Sequence, residues 1–126
     1  MNMKFTGCNP LKSLEPVIEL SSNGKDWDLH NVGEFLGFSY KSKERILFLE
    51  WKYFDEDGKP LNQLCILEFW DVLSFEVKKR DPEMPYSEDD CLSDITFNEA
   101  DDSFIVKFMG GQEIKIFCNE IKFILT

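Results

Sequence analysis

Apolar residues recur at every second position along most of this 126-residue chain, and this period limits its fold more than any other feature. The clearest runs lie in the last third, where the members of each run share one parity: Phe104, Val106 and Phe108, then Ile114, Ile116 and Cys118. Side chains on a β-strand point alternately to its two faces, so a period of two indicates strands with one buried face. Twelve Phe residues add to the preference for strands.

Apolar residues matched across the turns predict how the strands pair. Phe97 is expected opposite Phe104, Trp51 opposite Cys65, and Phe38 opposite Leu47. A shift of one residue would turn every side chain of a strand to the other face, so the apolar set selects the register.

The Gly110-Gly111 pair predicts a hairpin turn. A two-residue loop would place Phe108 opposite Glu113. A three-residue loop over residues 110–112 would place Phe108 opposite Ile114 and keep the apolar residues on one face. We therefore expect the three-residue loop, at the cost of placing Lys107 opposite Lys115.

The fold class predicted from these patterns is all-β. About eight strands with hairpin-length connections indicate an antiparallel sandwich or a curved, partly closed barrel, with at most one short helix. A hydrophobic fraction of 43% excludes intrinsic disorder. The length supplies one core, so residues 1–126 are expected to form a single all-β domain. The apolar parity flips near Asn119-Glu120, which predicts a bulge or turn there.

Targeting and cysteine signals indicate a cytoplasmic protein. Residues 1–8 lack the apolar region of a secretory signal, and no apolar run approaches the roughly 18 residues of a membrane span. The four cysteines are widely spaced and form no C-x-x-C pair: Cys8, Cys65, Cys91 and Cys118. We expect free thiols, although the even count leaves two disulfides open.

Motifs for catalysis or metal binding are missing from the sequence. His30 is the single histidine, which excludes any site that needs two. The acidic stretch at residues 55–58 lacks the closing Glu of a calcium loop. No glycine-rich phosphate loop occurs. The expectation is therefore a protein that is not an enzyme and that holds no cofactor and no metal.

Negative charge is concentrated in one segment. The formal net charge is −10, and residues 81–102 contain nine acidic residues and no Lys or Arg. This charge argues against nucleic acid or an anionic membrane as a partner and favours a basic protein. The alternative is a solvated loop that blunts a sheet edge. The residues expected to bind a partner are Tyr86, Glu88, Asp89, Asp90, Asp94, Asp101 and Asp102.

Three segments together resemble a known class of protein: Leu47-Phe48-Leu49-Glu50-Trp51, Leu67-Glu68-Phe69-Trp70 and residues 111–118, Gly-Gln-Glu-Ile-Lys-Ile-Phe-Cys. In a small acidic all-β chain they look like bacterial immunity proteins, which protect cells from polymorphic or contact-dependent toxins. The resemblance covers residues 30–125. It implies a non-enzymatic, cytoplasmic inhibitor that binds a cognate toxin domain, often a nuclease with a basic active-site cleft.

Two other functions fit the composition. One is a β-barrel that binds a small ligand in its mouth, lined by Trp27, Trp51 or Trp70. For Trp27, we favour a residue that closes one end of a barrel over an interface anchor. The other function is a carboxylate-based enzyme, for which the structural sign would be a close pair of buried acids.

Overall fold

A computed structural model describes residues 3–126 of the chain. Met1 and Asn2, which begin the segment considered for an export signal, lie outside the described residues. The described part contains eleven strands and one turn of 3₁₀ helix, Tyr86–Glu88. The strands are β1 (Lys4–Thr6), β2 (Glu19–Ser22), β3 (Lys25–Asp28), β4 (Gly33–Lys41), β5 (Ile46–Phe54), β6 (Pro60–Trp70), β7 (Ser74–Lys78), β8 (Leu92–Asn98), β9 (Ser103–Phe108), β10 (Glu113–Phe117) and β11 (Glu120–Leu125).

Two sheets form the body of the protein. The five-stranded sheet has the order β1-β11-β6-β5-β4, the four-stranded sheet has the order β7-β10-β9-β8, and β2 and β3 form a separate hairpin. Neighbouring strands are antiparallel except β1 and β11, which run parallel. Neither sheet closes on itself, so the architecture is an open sandwich. The predicted all-β fold is confirmed.

The inward faces of the two sheets share one hydrophobic cluster. Phe69 of β6 packs on Phe104 of β9 with ring centroids 5.4 Å apart, and both are fully buried. Trp27 is also buried, 4.9 Å from the ring of Tyr53. It belongs to the core, as the sequence favoured.

Two of the predicted registers are confirmed. Phe97 lies opposite Phe104, and Trp51 lies opposite Cys65. In both cases the matching of apolar residues across the turn selected the pairing that the strands adopt.

The predicted register of β9 and β10 is wrong by two residues. Ile114 lies opposite Val106 rather than Phe108, and the loop occupies residues 109–111. A two-residue shift leaves every side chain on its face, so the hydrophobic pattern could not detect it. Gly111 has φ +95°, the left-handed conformation that closes a three-residue hairpin loop. This register places Lys107 opposite Glu113 and removes the like-charge pair with Lys115.

The pairing of β4 with β5 is also shifted. Phe38 lies opposite Leu49, not Leu47, and Tyr40 takes the position opposite Leu47. The turn ends at Arg45, which adopts φ +55°. A bulge between Phe35 and Gly37 changes the register by one residue in the earlier part of β4.

The change of apolar parity near Asn119 marks a crossing between the sheets. The chain leaves the four-stranded sheet after Phe117 and joins the five-stranded sheet at Glu120. Within residues 3–126, no helix has the length and apolar character needed to cross a bilayer.

Candidate partner-binding loop

The seven residues predicted to bind a partner fall into separate places along the four-stranded sheet. Tyr86, Glu88, Asp89 and Asp90 lie before β8, whereas Asp101 and Asp102 lie after it. The seven residues of β8, at about 3.3 Å each, put these groups about 20 Å apart. The seven residues therefore do not form the single acidic surface that their closeness in the sequence suggests, because β8 separates its two ends along the sheet.

The group after β8 offers little free charge. Asp102 is buried and adopts φ +53°. Asp101 is exposed, but its Oδ1 accepts a 2.5 Å hydrogen bond from Ser103 Oγ. Of these two predicted residues, only Asp101 presents its carboxylate to solvent, and that carboxylate already accepts a hydrogen bond.

Asp94 lies within β8 on the outer face of the sheet. It is half-buried and lies opposite Lys107 of β9. Its two carboxylate oxygens accept hydrogen bonds from Ser93 Oγ at 3.2 Å and Thr96 Oγ1 at 3.4 Å. The side chain therefore belongs to the surface of the sheet and is separate from the group before β8.

The residues before β8 form a compact structure, here called the acidic loop, residues 81–91. It contains five acidic residues and no Lys or Arg. Its backbone is tied to both sheets: Asp81 N–H donates to Gly110 O at 2.9 Å, and Phe35 N–H of β4 donates to Asp90 O at 2.9 Å. Gln112 Nε2 also donates to Asp89 O at 3.0 Å. These bonds fix the position of the loop relative to the sandwich.

Arg80, which sequence reasoning missed, holds the acidic loop together. Its Nε donates to both carboxylate oxygens of Asp89 at 3.0 Å, and its Nη2 lies 3.0 Å from Oδ1. Its Nη1 and Nη2 donate to the carbonyls of Asp81 at 3.0 Å and Met84 at 2.8 Å. The bond to Asp89 raises the pKa of Arg80. An arginine directly before a run of acids was the available sequence signal.

Arg80 also determines the surroundings of Tyr86. The guanidinium carbon lies 4.5 Å from the centroid of the Tyr86 ring, a cation–π contact. Tyr86 is nevertheless 82% exposed, so its ring does not lie back on the core. The carboxylate of Asp89 is bonded to Arg80, whereas Asp81, Glu83 and Asp90 are exposed.

The hairpin between β9 and β10 permits the close approach of the loop. A Cβ on Gly110 would collide with the carboxylate of Asp89, and one on Gly111 would lie 2.8 Å from the backbone nitrogen of Asp81. Both glycines are therefore needed for the acidic loop as well as for the turn.

The electrostatic effect of the loop is visible at Cys91. Burial raises the pKa of its thiol, and the carboxylates of Glu88 and Asp90 raise it further. The four cysteines are unpaired. The thiols of Cys65 and Cys118 are buried, which raises the pKa of each to about 12.

The three tryptophans expected to line a ligand site do not line a common pocket. Trp51 is fully buried, and Trp27 is buried against Tyr53. Trp70 is half-buried, with Lys122 Nζ 3.8 Å from its ring centroid. A groove of about 330 Å³ is lined by none of the three.

Buried acids do not form a pair in the described part of the chain, where Asp102 is the only buried carboxylate. Residues 3–126 likewise contain no cluster of three or more side chains of the types that hold a metal ion. Comparison with protein-family models, curated proteins and solved structures finds no match to this chain.

Proposed function

We propose that this protein is a non-enzymatic inhibitor of the immunity class. It neutralises a cognate toxin domain, a nuclease with a basic cleft, by placing the acidic loop over the surface that would bind phosphate. The observation that carries the proposal is a loop clamped by Arg80 that presents an exposed Tyr86 beside exposed carboxylates.

Charge complementarity supports this choice of partner. The acidic loop brings five carboxylates together within eleven residues, and within residues 3–126 only that of Asp89 forms an ion pair, with Arg80. Like charges held this close repel one another, and a cationic surface relieves that repulsion while it accelerates encounter. A cleft built to bind nucleic-acid phosphates has the matching charge.

The rigidity of the loop supports binding rather than simple solubility. A solvated loop needs no fixed shape, whereas four hydrogen bonds from Arg80 set the geometry of this one. An ordered loop loses less conformational entropy when it binds. Tyr86 is held over the guanidinium and remains 82% exposed, as expected of an aromatic anchor at an interface.

The proposed docking surface keeps three of the residues expected from the sequence, Tyr86, Glu88 and Asp90. It adds Glu83, an exposed acid of the same loop. Asp89 acts through Arg80 as a positioning residue. Asp94, Asp101 and Asp102 lie outside this surface.

A charge-reversal experiment tests the proposal. The test variant carries Glu83→Lys, Glu88→Lys and Asp90→Lys, whose native side chains make no hydrogen bond to another residue of the described chain. The matched control carries Glu44→Lys, Glu56→Lys and Asp57→Lys, which are exposed in other turns and change the net charge equally. Each protein is immobilised and exposed to lysate of the native cell, and captured proteins are identified by mass spectrometry.

We expect the wild type and the control to retain a basic protein with nuclease activity that the test variant loses. With that protein purified, the on-rate of the test variant should fall about tenfold or more at low salt. Equimolar wild type should block cleavage of plasmid DNA or RNA. Equal capture by the test variant excludes the acidic loop as the docking surface, and capture without inhibition excludes the immunity function.

A further inference from the structure

One side of the sandwich exposes several large apolar side chains: Leu36 and Phe38 of β4, Val77 of β7, and Leu73, just before β7. Tyr40 of β4 and Phe75 of β7 bring these edge strands together, with ring centroids 4.8 Å apart. Phe38 shares the face of Tyr40, and Val77 shares the face of Phe75. The gap between the two edge strands is therefore lined by exposed apolar groups.

β7 is the open edge of the four-stranded sheet. It pairs with β10 on one side and with no strand of the described chain on the other. At the opposite edge, β8 is bridged by Ser13 and Val17. In the five-stranded sheet, β1 has three residues and β4 carries a bulge. An uncovered, regular edge is a template for pairing with another strand.

Charges alternate in a row across the outer face of the four-stranded sheet. Asp94 lies opposite Lys107, Lys107 opposite Glu113, and Glu113 opposite Lys78 at the open edge. Lys78 Nζ lies 3.5 Å from Glu113 Oε2. The adjacent row ends with Lys115 opposite Glu76. The edge thus presents Lys78 and Glu76 two residues apart, and each lies opposite a residue of opposite charge on β10.

We propose that a second copy of this chain docks on β7, antiparallel to it and related by a two-fold axis at Val77. In that register Glu76 of each copy lies opposite Lys78 of the other, and both charge rows continue across the axis with alternating sign. A shift of two residues in one direction would place Glu76 opposite Glu76, and a further shift would place it opposite Ser74. Opposite charges directly across a sheet are favourable and like charges are not, so charge selects the first register.

The same arrangement covers apolar surface. Val77 of one copy meets Val77 of the other on the inner face, the face that Phe75 also shares. The interface has an apolar centre and two ion pairs at its rim, the usual layout of a protein interface. The two four-stranded sheets become one sheet of eight strands. This inference does not rest on the proposed function.

Sedimentation equilibrium of the purified full chain tests the proposal. Measurements extend to about 500 µM protein at about 0.15 M ionic strength, where screening reduces the repulsion between two copies of net charge −10. The variants are Glu76→Lys, Lys78→Glu and both together. Glu56→Lys and Lys59→Glu in an exposed turn are controls with the same changes of charge.

We expect each single reversal to raise the dissociation constant about tenfold, because both pairs become like-charged, and the double variant to return within about threefold of the wild type. In the double variant, the changed residues 76 and 78 face like charges at Lys115 and Glu113 of the same copy. These contacts occur in the monomer and in the dimer alike, so they do not change the dissociation constant. Val77→Glu, which places two carboxylates across the axis, should abolish the dimer. Thermal unfolding verifies that each variant is folded.

Three results would overturn the proposal. The first is a wild type that remains monomeric at the highest concentration. The second is a dimer that the single reversals leave unchanged. The third is a double variant that stays as weak as the single variants, which would exclude this register.

Discussion

Replacement of Asp102 by Asn should stabilise the protein. Asp102 is 7% exposed, and its Oδ1 has no hydrogen-bond partner among residues 3–126. Its φ of +53° is a conformation that Asn and Asp tolerate better than other L-residues do. Asp102→Asn therefore keeps the backbone and the side-chain shape while it replaces the carboxylate with an uncharged amide.

The size of the effect follows from the burial. An unpaired buried acceptor costs about 1–3 kcal/mol, and more when it is charged. Asn still leaves an amide group partly unsatisfied, so we expect a net gain in the free energy of unfolding of about 1 kcal/mol. For 126 residues the entropy of unfolding converts this gain to a rise of about 4 °C in Tm.

The assay is chemical denaturation at pH 7 together with thermal unfolding. Asp102→Ala is the matched comparison, because it removes the polar group but places Ala at positive φ, which costs about 1 kcal/mol. We expect Asp102→Ala to fall below Asp102→Asn by about that amount. An Asp102→Asn variant less stable than the wild type would refute the reasoning, since it would mean that the carboxylate makes a stabilising contact.

The remaining predictions concern Arg80 and the thiols. Arg80→Lys should increase amide hydrogen exchange at Asp89 and Cys91 with little change at the core strands, because Lys cannot form the bidentate bond to Asp89 or reach both carbonyls; unchanged exchange would show that the clamp does not hold the loop. For Cys118, a folded-state pKa of about 12, above the ordinary value of 9.0, means that the unfolded thiol loses its proton first. Stability is then fully present below pH 9 and falls by about 1.4 kcal/mol per pH unit as the pH rises towards 12. Denaturant midpoints of wild type and Cys118→Ala measured across this range should differ in slope, and parallel profiles would contradict the shift.

Local alternation was enough to predict β4–β11 and their faces, but it did not predict the short strands β1–β3. Phe97 and Phe104 flank a short turn, and matching apolar residues across it gave the correct pairing. The same reasoning failed for β9 and β10, because registers that differ by two residues bury the same side chains. Gly111 and the Lys107–Glu113 pair decided between them.

The candidate site, like the fold, was only partly predictable from the sequence. The density of acids and the presence of Tyr86 in residues 81–91 were visible in the sequence. Their separation from Asp101 was not, because residues close along the chain are carried apart by the extended backbone of β8.

The sequence by itself determined that this chain forms strands, which side chains they bury, and where its negative charge is concentrated. Each of these depends on neighbouring residues and on composition. Only the tertiary structure decided that Arg80 binds Asp89, that Gly110 and Gly111 admit the acidic loop, and that one side of β7 pairs with no strand of residues 3–126. These depend on which distant segments meet when the two sheets pack, and period-two alternation carries no information about that choice.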